Sequence, residues 1–187
     1  MSESMKKTDK KLNKRHFRRG FTLVEIIIVV VILGIAALMA VPMVSSAADM
    51  QVRSAANRIA ADLDYAKGMA ITHQQSYSVV FSPSSESYEI RVEPAGSGDV
   101  IDHPVNPGSF SVDFSTDRNL SSVDLVDADF DSDISNAITF DYLGSPYSGL
   151  DTSTPLNVGQ IELNADNFTL YVNIEPVTGY ITIEDTP

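Results

Sequence analysis

The sequence predicts an α+β fold, in which one long N-terminal helix packs on an antiparallel β-sheet. An unbroken apolar run, "IIIVVVILGIAALMAV" at residues 26–41, continues into a segment with helical periodicity. From residue 76 onward the spacing of apolar residues changes from about 3.6 to 2, the repeat of a half-buried strand. One helix followed by many strands is typical of a sheet that covers the inner face of the helix.

The first twenty residues, "MSESMKKTDKKLNKRHFRRG", form a basic leader. They carry eight Lys and Arg residues against two acidic ones, whereas residues 21–187 carry five basic residues against 23 acidic ones, a net charge of −18. The positive-inside rule predicts a cytoplasmic leader and an exported, acidic body. The acidic body also argues against nucleic acid as a partner, because phosphate binding requires clustered cations.

Residues 21–44 predict a helix that crosses a membrane, because 24 helical residues span about 36 Å. Glu25 interrupts this segment, although an ionisable side chain at the bilayer centre costs about 2.5–3.5 kcal/mol. A plain signal anchor, or a secretory signal cleaved after Ala47, leaves this carboxylate without a role. Gly34 and Pro42 are the expected weak points of the helix, since proline removes a backbone donor.

The stretch "RRG" followed by "FTLVEIIIVVVILGIAALMAVP" resembles the class III signal of type IV pilins and pseudopilins. The resemblance implies that a prepilin peptidase cleaves between Gly20 and Phe21 and N-methylates Phe21. It also implies that Glu25 meets the terminal amine of a neighbouring subunit as a filament grows, and that Pro42 kinks the helix. Residues 21–44 would then contact other pilin-like subunits as well as the inner membrane.

Residues 45–75 predict the amphipathic half of the same helix. Its apolar residues recur every three or four positions and should face the sheet; they are Val52, Ala56, Ile59, Leu63, Ala66 and Ala70. Two ion pairs between residues four positions apart, Asp49–Arg53 and Arg58–Asp62, are expected on the exposed side.

Residues 76–187 predict a β-rich domain. Alternating apolar residues indicate seven strands, at residues 76–81, 88–92, 109–114, 137–144, 158–163, 167–175 and 179–185. The segments 164–167 and 176–179 predict turns, and residues 144–146 with 148–155 predict a longer loop.

The segment "AANRIAADLDYAKGMAITHQQSYSVVF" (55–81) is similar to the GspH/FimT-like domain of the H-type minor pseudopilins and T-type fimbrial minor pilins, with Lys67 where that helix usually carries Arg. The resemblance implies a pilin-like fold and a minor pseudopilin of type II secretion. The N-terminus would be cytoplasmic, and the domain would be periplasmic, facing other subunits or exported cargo. The alternatives are a minor pilin of a type IV pilus and a membrane-tethered periplasmic binding domain that does not polymerise.

No catalytic pattern is recognisable in the sequence, so neither an enzyme nor a cofactor is predicted. The chain has no cysteine, its three histidines are scattered, and it lacks the Gly-x-Ser-x-Gly motif of serine hydrolases.

The acidic segment "DLVDADFDSDIS" (124–135) is a weak candidate for a calcium site. Its alternating carboxylates begin like a calcium loop; they are Asp127, Asp129, Asp131 and Asp133, after Asp124. However, Ser132 stands where the EF-hand turn needs glycine, and Ile138 stands where a bidentate carboxylate is needed. The alternative is a solvated acidic loop or edge segment.

Overall fold

The computed structural model describes residues 21–93, 99–131 and 136–185, without the side chains at 38–46 and 93. The predicted leader, residues 1–20, therefore lies outside the description. The chain forms two compact units, Met1–Ala40 and Val41–Pro187. One helix, α1, runs from Leu23 to His73, so the prediction of a single long helix is confirmed.

The described part of the second unit contains two antiparallel sheets, where the sequence analysis predicted one. A five-stranded sheet has the order β3-β2-β1-β5-β6, and a four-stranded sheet has the order β4-β7-β8-β9. The strands are β1 (Ser76–Ser82), β2 (Ser87–Glu93), β3 (Ser111–Asp113), β4 (Asp124–Phe130), β5 (Ala137–Phe140), β6 (Pro146–Ser148), β7 (Gly159–Ala165), β8 (Phe168–Ile174) and β9 (Ile181–Glu184).

Each predicted strand is present with shifted ends, and β4 and β6 are additional. The prediction of a loop was wrong at Pro146 and Ser148, because these residues begin and end β6 at the edge of the five-stranded sheet. An edge strand tolerates proline because one side of its backbone needs no ladder partner. The acidic residues 124–130 form β4, an edge strand of the other sheet, which agrees with the alternative interpretation of an acidic edge segment.

The inner stripe of α1 and residues of both sheets form one hydrophobic core. Every residue of the predicted stripe is buried, and Ala55 joins it. The centre of the core contains an aromatic cluster in which Phe81 contacts Tyr88 and Phe130, and Tyr88 meets Phe114 edge to face. The prediction that the second half of α1 packs on the sheet domain is therefore confirmed.

The two predicted ion pairs of α1 differ in their geometry. Arg53 Nε lies 2.8 Å from Asp49 Oδ1, so this pair is confirmed. Arg58 Nε is 4.0 Å from Asp62 Oδ2, whereas Arg58 Nη1 donates to Asp117 Oδ2 at 3.0 Å. The side chain of Arg58 therefore ties the helix to the loop after β3 as well as pairing within the helix.

Candidate functional site

The start of α1 is organised by Thr22, which the sequence analysis did not single out. The backbone N–H of Glu25 donates to Thr22 Oγ1 at 3.2 Å, and the N–H of Ile26 donates to the Thr22 carbonyl at 3.3 Å. Thr22 is thus the N-cap and Glu25 the third helical residue, the positions of a T-x-x-E capping box. That spacing is legible in the sequence and could have identified the cap.

Its place in the first turn gives Glu25 a second local role. The amino end of a helix carries a partial positive charge from unpaired N–H groups, and a carboxylate there is stabilising by about 0.3–1 kcal/mol at exposed sites. The predicted assembly residue is therefore compatible with the helix that carries it.

The helix around Glu25 has apolar side chains on every side. Each large apolar residue from Phe21 to Ile35 is 44% to 77% exposed. A helix that is apolar all round is normally buried in a protein core or in lipid. This surface therefore needs a covering that the described unit does not supply by itself.

Several predictions fall on or beside the limits of the described residues. Gly20 lies outside them, so the predicted cleavage bond is described only on its Phe21 side. Within the described residues, no helix is both long and apolar enough to cross a membrane, and residues 38–44 of the predicted segment have no described side chains. Gly34 and Pro42 both have helical backbone, and their role as weak points stays a prediction.

The acidic residues of β4 point away from the core. Asp124, Asp127 and Asp129 are exposed, while Leu125 and Ala128 face the interior; Val126, at a break in the register between Leu125 and Asp127, is exposed too. Asp127 lies directly opposite Glu162 of β7. Like charges in that arrangement repel one another across the strands.

The carboxylate of Asp131 is engaged by backbone groups. It accepts hydrogen bonds from the N–H of Asn157 and, at 2.6 Å, from the N–H of Val158. Among the described residues no three acidic or histidine side chains gather closely enough to hold a metal ion, and Asp133 lies outside those residues. The calcium site stays a prediction.

Comparison with solved structures supports the pilin-like fold. The minor pseudopilin EpsH from the type 2 secretion system of Vibrio cholerae is similar with a TM-score of 0.51 and 10% identity, over 72% of this chain and 97% of that chain. At this identity the likeness concerns the fold alone. The type IV minor pilin FimU of Pseudomonas aeruginosa PAO1 is similar with a TM-score of 0.45 and 16% identity, over 73% of this chain and 88% of that chain.

Two family models match the sequence. The prokaryotic N-terminal methylation motif matches residues 15–41, which include the expected cleavage bond and Glu25. The model of type II transport protein GspH matches residues 55–178, from the inner stripe of α1 to the turn before β9. Among curated proteins, none matches this chain. Because the second model covers more than half of the chain, this protein belongs to the family of type II transport protein GspH.

Proposed function

We propose that this chain acts in type II secretion as a minor pseudopilin that assembles through its N-terminal helix. The observation that carries the proposal is the exposed apolar surface of residues 21–35 with Glu25 in its first turn. Lipid covers such a surface before assembly, and the helices of other pilin-like subunits cover it in a filament. The filament is a short pseudopilus in the periplasm, which we infer from the family to which the chain belongs.

Processing prepares the helix for assembly. A prepilin peptidase cleaves between Gly20 and Phe21, removes the basic leader and methylates the new amino group of Phe21. The leader keeps the N-terminus cytoplasmic until then, and the acidic domain is periplasmic. Cleavage also creates a positive charge four residues before Glu25, at the end of the helix where Thr22 is the cap.

Glu25 sets the register of the assembled subunit. A carboxylate in an apolar surrounding is costly until it meets a cation, and the methylated amine of a neighbouring subunit supplies that cation. Ion pairs in a low dielectric stabilise only in good geometry, and loss of one partner is costly. The pair therefore selects one axial position for the incoming helix rather than adding general stability.

The mass and N-terminal sequence of the membrane-extracted protein test this function. We expect a chain that begins at Phe21 and is about 14 Da heavier than the unmodified chain, because a methyl group replaces one hydrogen. A chain that still begins at Met1, in cells with active prepilin peptidase, would leave a plain membrane anchor. A chain that begins at Ala48 would leave a secreted soluble domain, and the proposal would be wrong.

A further inference from the structure

Three separate segments meet at the C-terminal end of α1. They are the end of the helix at Ile71, the turn 141–145 between β5 and β6, and the turn 175–180 between β8 and β9. A Cβ added to Gly144 would lie 2.9 Å from Ile71 Cδ1, and a Cβ added to Gly179 would lie 3.1 Å from the Gly144 carbonyl oxygen. The two glycines thus let both turns lie directly against each other and the helix.

Side-chain hydrogen bonds hold these turns in place. Lys67 Nζ donates to the carbonyl oxygens of Thr178 at 2.8 Å and of Gly179 at 3.1 Å. On the other turn, Asp141 Oδ1 accepts from the N–H of Leu143 at 2.9 Å and of Ser145 at 2.8 Å. Both turns are therefore ordered before any partner binds, which lowers the entropy cost of binding.

This scaffold presents apolar side chains to solvent. We call them the apolar platform: Ile71, Tyr142, Leu143, Val177 and Tyr180, which are 47% to 79% exposed. Clustered exposed apolar residues mark interaction sites far more often than single ones do. Tyrosine in particular is enriched among the residues that dominate binding energy at interfaces.

The backbone of Val177 has a strained conformation that burial of its side chain does not explain. Its φ is +68°, and it is the only β-branched residue among the described non-glycine residues with positive φ. A β-branched residue in the left-handed region is an outlier, and such strain concentrates at functional sites. Because the Val177 side chain is 79% exposed, its burial in the core cannot be the compensation.

Charge distinguishes between the partners that this surface could bind. The exposed acid Glu175 lies in the same turn as Val177 and Tyr180, while Lys67 is engaged by two carbonyl groups. Residues 41–187 carry five basic against 22 acidic residues, a net charge of −17. Two copies of this domain would repel each other, whereas a partner with basic residues around an apolar centre would be attracted.

We infer that the apolar platform docks the globular domain of a different pilin-like subunit, one whose contact face has an apolar centre and a rim of Lys and Arg. The inference rests on the proposed function, because it assigns the partner to the same filament. The platform supplies a lateral contact between domains, in addition to the contacts of the N-terminal helices.

Site-specific crosslinking tests the inference. Because the chain has no native cysteine, a single introduced cysteine is the only thiol available for labelling. The full chain with Val177→Cys carries a maleimide-linked photo-crosslinker and is assembled with other pilin-like subunits of its host. Val105→Cys is the matched control, since Val105 is 84% exposed in a loop outside the platform. We expect a crosslink from position 177 to a subunit of different sequence, at a peptide bordered by Lys or Arg.

Second-site variants show whether the platform itself makes the contact. Adding Leu143→Asp to Val177→Cys should lower the crosslink yield about tenfold, as expected for loss of one central apolar contact. Leu150→Asp, an exposed apolar position outside the platform, should leave the yield unchanged. Raising NaCl from about 0.05 to 0.5 M should weaken the purified pair, because screening removes the charge attraction.

Two results would overturn the inference: a crosslink from position 177 to a second copy of this chain, or a yield no higher than that from position 105. Glu25→Gln separates this failure from failure of the proposed function. If Glu25→Gln abolishes incorporation while position 177 gives no crosslink, only the platform is refuted. If Glu25→Gln incorporates normally and position 177 still crosslinks, the helix-based function fails and the platform remains.

Discussion

At the residue scale, Glu25 combines two roles that a sequence pattern alone does not connect. Its predicted role is to meet a neighbour's amine, and its backbone N–H is bound by the Thr22 hydroxyl in the helix cap. The cap fixes the first turn of the helix, so the Glu25 side chain projects from a defined position. A registry device requires such a defined position.

Glu25→Gln separates charge from shape at this position. The variant should insert in the membrane and be processed normally, because glutamine is of equal size and less costly in lipid. Its incorporation into filaments should fall below detection, since an unpaired buried charge costs about 3–5 kcal/mol. Co-purification with other pilin-like subunits measures this, and Glu25→Asp is the control that retains charge. Normal incorporation of Glu25→Gln would contradict the registry role.

Tyr88 and Asp62 form the polar contact that joins α1 to β2 beneath the surface. The Tyr88 hydroxyl donates to Asp62 Oδ2 at 2.5 Å. Burial raises the pKa of Asp62, while the hydrogen bond from Tyr88 and the charge of Arg58 oppose that rise. Burial raises the pKa of Tyr88 well above its usual 10.0, and the neighbouring Asp62 carboxylate adds to the effect.

Tyr88→Phe should lower the free energy of unfolding by about 1.5–3 kcal/mol, the range for a hydrogen bond to a charged group. The raised pKa means that the folded state favours the neutral phenol. This stability is fully present below pH 10 and is lost as pH rises through the folded pKa. Urea unfolding between pH 7 and about 11 should thus show a steeper alkaline loss in the native chain than in Tyr88→Phe. Tyr142→Phe, at an exposed tyrosine, is the control.

At the element scale, the periodicity of the sequence predicted which faces of the helix and strands are buried. It did not predict which strands pair with one another. The stripe from Val52 to Ala70 is buried and β8 is half-buried as predicted, with Leu170, Val172 and Ile174 inside, because spacing alone specifies a face. The division into two sheets was not predictable, because which strands pair depends on contacts distant in sequence. β4 was left open because its carboxylates resemble a loop, although Leu125, Ala128 and Phe130 face the core.

The candidate site divides in the same way. Phe21 and Glu25 were predicted from a local motif, which lies within a short stretch of sequence and matches the N-terminal methylation model over residues 15–41. The apolar platform was not found, because Ile71, Tyr142 and Val177 are far apart in sequence and only folding brings their segments together. Its turns looked like ordinary glycine turns.

Two glycines should respond in opposite directions to alanine. Gly68 is helical and exposed, and an added Cβ would meet nothing within 4 Å, so Gly68→Ala should stabilise the domain by about 0.5–1 kcal/mol. Gly179 has φ +59°, and its added Cβ would lie 3.1 Å from a backbone oxygen, so Gly179→Ala should destabilise it. Thermal unfolding of the detergent-solubilised chain measures both. Equal effects would contradict the close approach of the two turns.

At the scale of the whole molecule, the chain combines an uncovered apolar helix with a domain of net charge −17. The apolar helix favours association, while the like charge of the domains opposes it between identical copies. Such a molecule is suited to a position between different subunits rather than to a long run of itself. This agrees with a minor component of a filament.

The same charge should destabilise the folded domain by self-repulsion. Raising NaCl from about 0.05 to 0.5 M should raise the urea midpoint, because screening weakens the repulsion. The double variant Asp127→Asn, Asp129→Asn should begin about 0.5 kcal/mol more stable, since it removes the repulsion between Asp127 and Glu162. The urea midpoint of this double variant should also rise less than that of the native chain when NaCl is raised. Asp49→Asn is the control, because it removes a carboxylate that pairs with Arg53 and should give no gain.

A loss of stability in the double variant would reverse this reasoning about β4. It would mean that the carboxylates of the edge strand are compensated in the folded state, which a bound divalent cation achieves. Millimolar calcium should then raise the urea midpoint of the native chain and leave that of the variant unchanged, because only the native chain has the carboxylates. If calcium has no effect on either chain, the acids of β4 are an exposed charged edge that discourages pairing with other strands.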